Sequence, residues 1–140
     1  MIKNKKLPKN ILDLLPDARD YLKAHPKVIF SYLFGSLAKH KPFPMSDVDI
    51  AVYLERDSNF AECKLDILGR LTDILHTDEI DLVILNRADI SLAINIITSK
   101  KIIVDKNPFE RHMFESLMMR KSFDFSFREI KQLRRRYLHG

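Results

Sequence analysis

The sequence holds one cysteine, Cys63, and no tryptophan in 140 residues. A lone thiol cannot close an internal disulfide. Neither a CxxC pair nor a Cys/His group at metal-ligand spacing is present, which excludes disulfide scaffolds and zinc modules and leads us to expect a reducing, cytoplasmic setting. No apolar run approaches the ~20 residues of a membrane-spanning helix. The basic start, Met1-Ile2-Lys3-Asn4-Lys5-Lys6, runs into Pro8 and further charge instead of the apolar stretch of a signal peptide. Repeats, low-complexity tracts and linkers are lacking as well. Basic residues are not interleaved with aromatics as in an RNA-binding motif, so direct nucleic-acid recognition is not expected. The chain is instead 46% apolar and 31% charged, a balance suited to one globular domain over residues 1–140. Its net charge of +5 permits an anionic partner without choosing one.

Ile11, Leu12, Leu14, Leu15, Ala18, Tyr21 and Leu22 recur at helical spacing. Pro16 is expected to break, kink or restart that helix, and Pro26 to stop it after its last turn. Val28 to Phe34 reads as a strand ending at Gly35, and Ser36 to His40 as the start of a short helix. Lys41-Pro42-Phe43-Pro44 reads as a loop, and Asp47 to Leu54 as a second strand. Next come an amphipathic helix from Asn59 to Leu75, a third strand from Glu79 to Leu85, a helix capped by Asp89 and a short edge strand from Lys101 to Val104. Asn107-Pro108 starts another helix, with Phe109, Met113, Leu117 and Met118 on one face, and the basic tail to Leu138 continues it or forms a last one, so helices occupy about 107–140. Alternating strands and helices indicate an α/β (α+β) domain, a small mixed β-sheet with helices packed on it.

Side chains alternate along a strand, so Asp47 and Asp49 point to one side while Val48 and Ile50 point to the other. At ~4 Å and an effective dielectric of ~20, two carboxylates repel by roughly 4 kcal/mol, which a divalent cation with oxygen ligands relieves. Asp81 lies in a later apolar strand and joins the pair if that strand runs beside the second. Three carboxylates so placed suit metal-assisted phosphoryl or nucleotidyl transfer, the metals neutralising phosphate charge and one carboxylate activating a hydroxyl. The turn at Gly35-Ser36 lets backbone approach a phosphate, with the Ser36 hydroxyl and nearby amides as donors.

Gly35-Ser36, then Ser46-Asp47-Val48-Asp49-Ile50, then Asp81 on a later strand, resembles the nucleotidyltransferase superfamily related to DNA polymerase β. The short chain and the phrase Ile80-Asp81-Leu82-Val83-Ile84-Leu85-Asn86-Arg87-Ala88 are similar to the minimal nucleotidyltransferases, in particular the MntA-like antitoxins encoded beside HEPN-domain RNase toxins. The similarity runs from the first helix to Val104. It implies a polymerase β-like fold, ATP as substrate, two Mg²⁺ ions and transfer of AMP to a tyrosine hydroxyl of a HEPN toxin. Carried over by position, Asp47 and Asp49 match the metal ligands, Asp81 the third carboxylate and metal ligand, and Gly35, Ser36 and Lys39 the phosphate turn. The chain departs from many relatives at Lys39, where they have Arg, and at His40, where they have Gly; lysine keeps the charge but loses the bidentate fork.

Two other functions stand beside this one: an antitoxin that neutralises its toxin by contact alone, and a nucleotidyltransferase acting on a small molecule or a nucleic-acid end. The size of the chain favours an acceptor brought by a partner, because little is left over to enclose one. His25, His76, His112 and His139 are scattered without ligand spacing, and Cys63 reads as a small buried apolar residue. The basic run Arg128, Lys131, Arg134, Arg135 and Arg136 reads first as a solvated helix face.

Overall fold

The structure, a computed structural model, describes residues 10–35, 38 and 47–138, apart from the side chains at 125–127, 129, 133 and 136–138. Four strands and four longer helices run in the order α1 (Ile11–Ala24), β1 (Val28–Phe34), β2 (Val48–Leu54), α2 (Phe60–Leu75), β3 (Ile80–Ile84), α3 (Ile90–Ser99), β4 (Lys101–Asp105) and α4 (Pro108–Leu138). The sheet order is β3-β2-β1-β4. β1 runs antiparallel to both β2 and β4, and β2 pairs parallel with β3, so the sheet is mixed, as its alternating elements indicated. The short helix expected from Ser36 to His40 and the loop Lys41 to Pro44 fall, except for Ala38, outside the described residues, and with them Ser36 and Lys39.

The period-2 pattern of β2 divides the core in two. Val48, Ile50, Val52 and Leu54 face α1 and α2, where they pack with Leu22, Ile67, Leu71 and Leu75. Ala51 and Tyr53 face α3 and α4, with Phe30, Tyr32, Phe34, Ala93, Ile96, Phe114 and Met118. On that second face the rings of Tyr53 and Phe30 stack at 4.6 Å, and Phe114 of α4 leans on both. Asp47 and Asp49 belong to this second face by the same alternation.

Local chemistry places each end. The Asn59 side chain accepts from Glu62 N–H and starts α2, and Asp89 accepts from Leu92 N–H to start α3. Asn107 accepts from Glu110 N–H ahead of Pro108, the first residue of α4. Asn86 joins both backbone groups of Leu54, accepting from its N–H at 2.9 Å and donating to its carbonyl at 2.9 Å, which ties the turn after β3 to the end of β2.

Two expectations are corrected, on Pro16 and on the inward face of the last helix, and the choice between one C-terminal helix and two is decided. Pro16 neither breaks nor restarts α1, which continues through it to Ala24; near the helix start the missing N–H forfeits only one bond, and Ala18 and Leu22 still bury. The C-terminal segment is one helix of 31 residues. Its inward face carries Arg111, Phe114 and Met118, whereas Phe109, Met113 and Leu117 of the expected face are exposed.

The cause of that rotation is a polar network that apolar spacing cannot reveal. Glu115 accepts from the buried Tyr32 hydroxyl at 2.6 Å and from Lys100 Nζ at 2.7 Å, and Arg111 bridges Glu115 to Asp105. Burial pushes the Glu115 carboxyl up, but hydrogen bonds from Lys100 and Tyr32 and the charges of Lys100 and Arg111 outweigh it and hold the group below its ordinary 4.5. Its contribution to stability is therefore present above that value and lost as pH falls through the lowered one. Glu115→Ala strands the Tyr32 hydroxyl and the Lys100 ammonium and leaves Arg111 with Asp105 alone. It should cost about 2–3 kcal/mol in urea unfolding at pH 7, with the gap to wild type narrowing below about pH 4.

Candidate active site

The site forms where β1 ends and β2 and β3 begin. Parallel pairing sets Asp49 directly beside Asp81, on strands about 4.8 Å apart. Asp47 immediately precedes the first residue of β2 and shares their face. Asp49 is half-buried and Asp81 is exposed, because Asp81 sits near the start of an edge strand, not within a covered run as its apolar neighbours suggested. Among the described residues, no hydrogen bond or ion pair engages these carboxylates. Burial, then the charges of Asp81 and Asp47, pushes the Asp49 carboxyl up from 3.8 to about 6. Of the two charges, that of Asp81 across the strand pair acts on Asp49 more strongly than that of Asp47, the neighbour along the chain.

Gly35 closes the site from the β1 side. Phe34 pairs with Asp49, so the next residue lies against the Asp49 side chain. Gly35 takes a left-handed φ of 72°, and a Cβ built on it would collide with the Asp49 carboxylate, lying 3.0 Å from Cγ. Glycine is needed here twice over, for its φ and for its bare Cα. Ser36 and Lys39, the other residues of the expected phosphate turn, lie outside the described residues.

Metal-binding chemistry is half assembled. Oxygen donors on one face suit a hard cation such as Mg²⁺, and the raised Asp49 carboxyl marks a site where added positive charge would be favourable. Among the described residues, no three His, Cys, Asp or Glu side chains already form a closed metal-binding group. The donor set therefore fits the ion in kind, and the carboxylates would have to draw together around it.

The sequence reading assigned none of the neighbours of Asp81 to the site. Asp81 opens onto a groove of about 360 Å³ lined also by Phe60, Lys64, Arg87 and Leu92. The Arg87 guanidinium lies 5.0 Å from the centre of the Phe60 ring, held over the groove by a cation–π contact. The i, i+4 spacing of Phe60 and Lys64 on a helix hinted at a shared face, but nothing in the sequence aimed that face at Asp81. Glu79, just before β3, is also buried, with Oε1 lacking a partner among the described residues.

Residues 17–109 match the sequence family described as polymerase β, nucleotidyltransferase. No curated protein matches the chain. Among solved structures, a toxin–antitoxin complex with AMP-PNP contains a chain 25% identical, covering 92% of each chain with a TM-score of 0.58. A variant of the toxin–antitoxin pair MntA–HpeT is 27% identical over 95% of each chain, with a TM-score of 0.57. A tri-AMPylated Shewanella oneidensis HEPN toxin in complex with MNT antitoxin is matched at 25% identity over 92% of this chain and 89% of the other, with a TM-score of 0.52.

Asp49 gives a pH test. Its folded value lies above its unfolded one, so it opposes folding at neutral pH, and stability should rise as pH falls from 7 through 6 toward 4. In metal-free buffer, Asp49→Asn should melt higher than wild type at pH 7, with the difference shrinking by pH 5. Added Mg²⁺ should raise the wild-type melting temperature and leave the variant's unmoved. Gly35→Ala should lower stability by about 1–2 kcal/mol through strain at its φ and abolish the Mg²⁺ response, read in the same melts.

Proposed function

The chain belongs to the polymerase β nucleotidyltransferase family, and on that premise we propose that it is an antitoxin that moves AMP from ATP onto a tyrosine hydroxyl of a HEPN-domain toxin. One observation carries the reading: Asp49 and Asp81, paired across β2 and β3 with Asp47 on the same face, gather negative charge at an open sheet end. A purely structural domain gains nothing from that arrangement. Support comes from the similar chains, which sit in complexes with toxins, one with AMP-PNP and one with a tri-AMPylated HEPN toxin.

The chain's own residues divide the work. Gly35 leaves room for the Asp49 carboxylate and for close approach of a phosphate to the β1–β2 turn. Ser36 and Lys39 are assigned to the triphosphate. Two Mg²⁺ ions held by Asp47, Asp49 and Asp81 would neutralise charge on the triphosphate and on the departing pyrophosphate. To Asp81, the most accessible of the three, we assign the proton of the incoming acceptor hydroxyl. The hydroxyl oxygen bonds to the α-phosphorus, the bond from that phosphorus to the bridging oxygen breaks, and pyrophosphate leaves.

The test is the intact mass of the HEPN-domain protein encoded with this chain, after incubation with it, ATP and Mg²⁺. Wild type should add one or more AMP masses. Asp47→Asn or Asp49→Asn should add none, and Asp81→Asn should lose turnover by at least ~100-fold while still binding ATP. A stable complex without any mass gain would replace this reading with neutralisation by contact alone.

A further inference from the structure

α4 changes its apolar face where it leaves the body of the domain. Up to Met118 its buried face carries Arg111, Phe114 and Met118, at helical steps of three and four. The next positions of that stripe are Lys121 and Ser122, and beyond Met118 none of the described residues is buried. A second stripe takes over about a quarter turn away. Met119, Phe123 and Ile130 on it are exposed, and Leu133 and Tyr137 stand at the next positions of the same spacing in the sequence. From Met119 to Tyr137 the steps alternate between four and three through Ser126, its one polar position, which is the heptad period of a coiled coil. The helix runs on for about 30 Å past Met118. Helices draw most of their stability from packing an amphipathic face and little from propensity, yet nothing within this chain packs on that stripe among the described residues.

We propose that the stripe pairs with the same stripe of a second copy of this chain, as a parallel two-stranded coiled coil over residues 119–137. Charge selects this occupant. Lys121, Arg128 and Arg135 recur every seven residues on the side opposite the stripe and are exposed, so in such a pair all of them stay in solvent. Parallel pairing also sets position 129, a glutamate, opposite position 134 of the other copy, an arginine, on both flanks of the seam. Antiparallel pairing would set Arg120 against Arg134 and Glu129 against itself. The sequence is therefore complementary to itself in one orientation and self-repelling in the other. A polyanion would take the basic side and leave the apolar stripe uncovered. The seam begins past the last buried residue of α4, so each copy keeps its own fold and its own candidate site.

The experiment is sedimentation equilibrium of the full chain from micromolar to submillimolar concentration, beside Ile130→Glu on the stripe and Arg135→Ala on the opposite side. Both positions are exposed in the single chain, so neither substitution threatens its fold. Wild type and Arg135→Ala should form dimers that dissociate on dilution. Ile130→Glu should raise the dissociation constant by at least ~100-fold, because each copy would bring an unpaired charge into the seam. Orientation is read by cross-linking in a Cys63→Ser background. Ile130→Cys should form an interchain disulfide on air oxidation and Arg135→Cys should not, since equivalent positions meet across a parallel seam. In the antiparallel register position 130 faces position 126, and the cross-link would fail. The inference is overturned if the dimer survives Ile130→Glu unchanged, if Ile130→Cys leaves the dimer unlinked, or if the wild type is monomeric throughout. A chain monomeric by itself overturns it whether an added HEPN-domain protein or an added RNA then covers the helix.

Discussion

The parallel pairing of β2 with β3 is the contact on which the candidate site depends. It brings together residues 32 positions apart in the chain, Asp49 and Asp81, and fixes them side by side. A slip of one residue would send Asp81 to the opposite face, into the apolar layer under α2. Two features hold the register. The Val48 N–H bonds the Glu79 carbonyl at the opening of the pair, and Asn86 clasps both backbone groups of Leu54 at its close. Between them Ile50, Leu82, Val52 and Ile84 lie on the α1–α2 side, so hydrophobic burial and hydrogen bonding select the same alignment.

The same pairing creates the tension that the site contains. Half-burial raises the proton affinity of Asp49, and the charge of Asp81 on the neighbouring strand adds to it. A fold selected for stability alone would place a neutral residue at one of these positions. Retaining the charges costs stability, and the proposed function gives that cost a chemical use. The remainder of the molecule offsets that cost by conventional means: two apolar layers, an aromatic stack joining β1, β2 and α4, and the satisfied network of Tyr32, Lys100, Arg111 and Glu115 that seats α4.

Beyond Met118 the long helix α4 buries none of its described residues, while Phe123 and Ile130 stay exposed. Basic side chains at Arg128, Lys131, Arg134 and Arg135 are exposed along the same stretch, in keeping with the solvated face read from their spacing. The groove beside Asp81 carries its own cations, Lys64 and Arg87, on different elements.

Short-range periodicity and backbone chemistry are what the chain determined without its tertiary contacts. Alternation put Asp47 and Asp49 on one face, Asn59, Asp89 and Asn107 marked helix starts, and the turn at Gly35 was legible because only glycine suits a left-handed φ against a neighbouring side chain. The order of Gly35, Asp47, Asp49 and Asp81 sufficed to suggest the family. Tertiary structure alone decided the features that depend on contacts between distant segments. It set β3 beside β2 in a register that meets Asp49 with Asp81, and it left that strand at an edge. It also carried α1 through Pro16, and it turned α4 so that Arg111 and Glu115, not Phe109 and Met113, face inward. No local pattern encodes these outcomes, because each compares the burial and hydrogen bonding of whole elements against one another, and that comparison exists only once the chain has closed on itself.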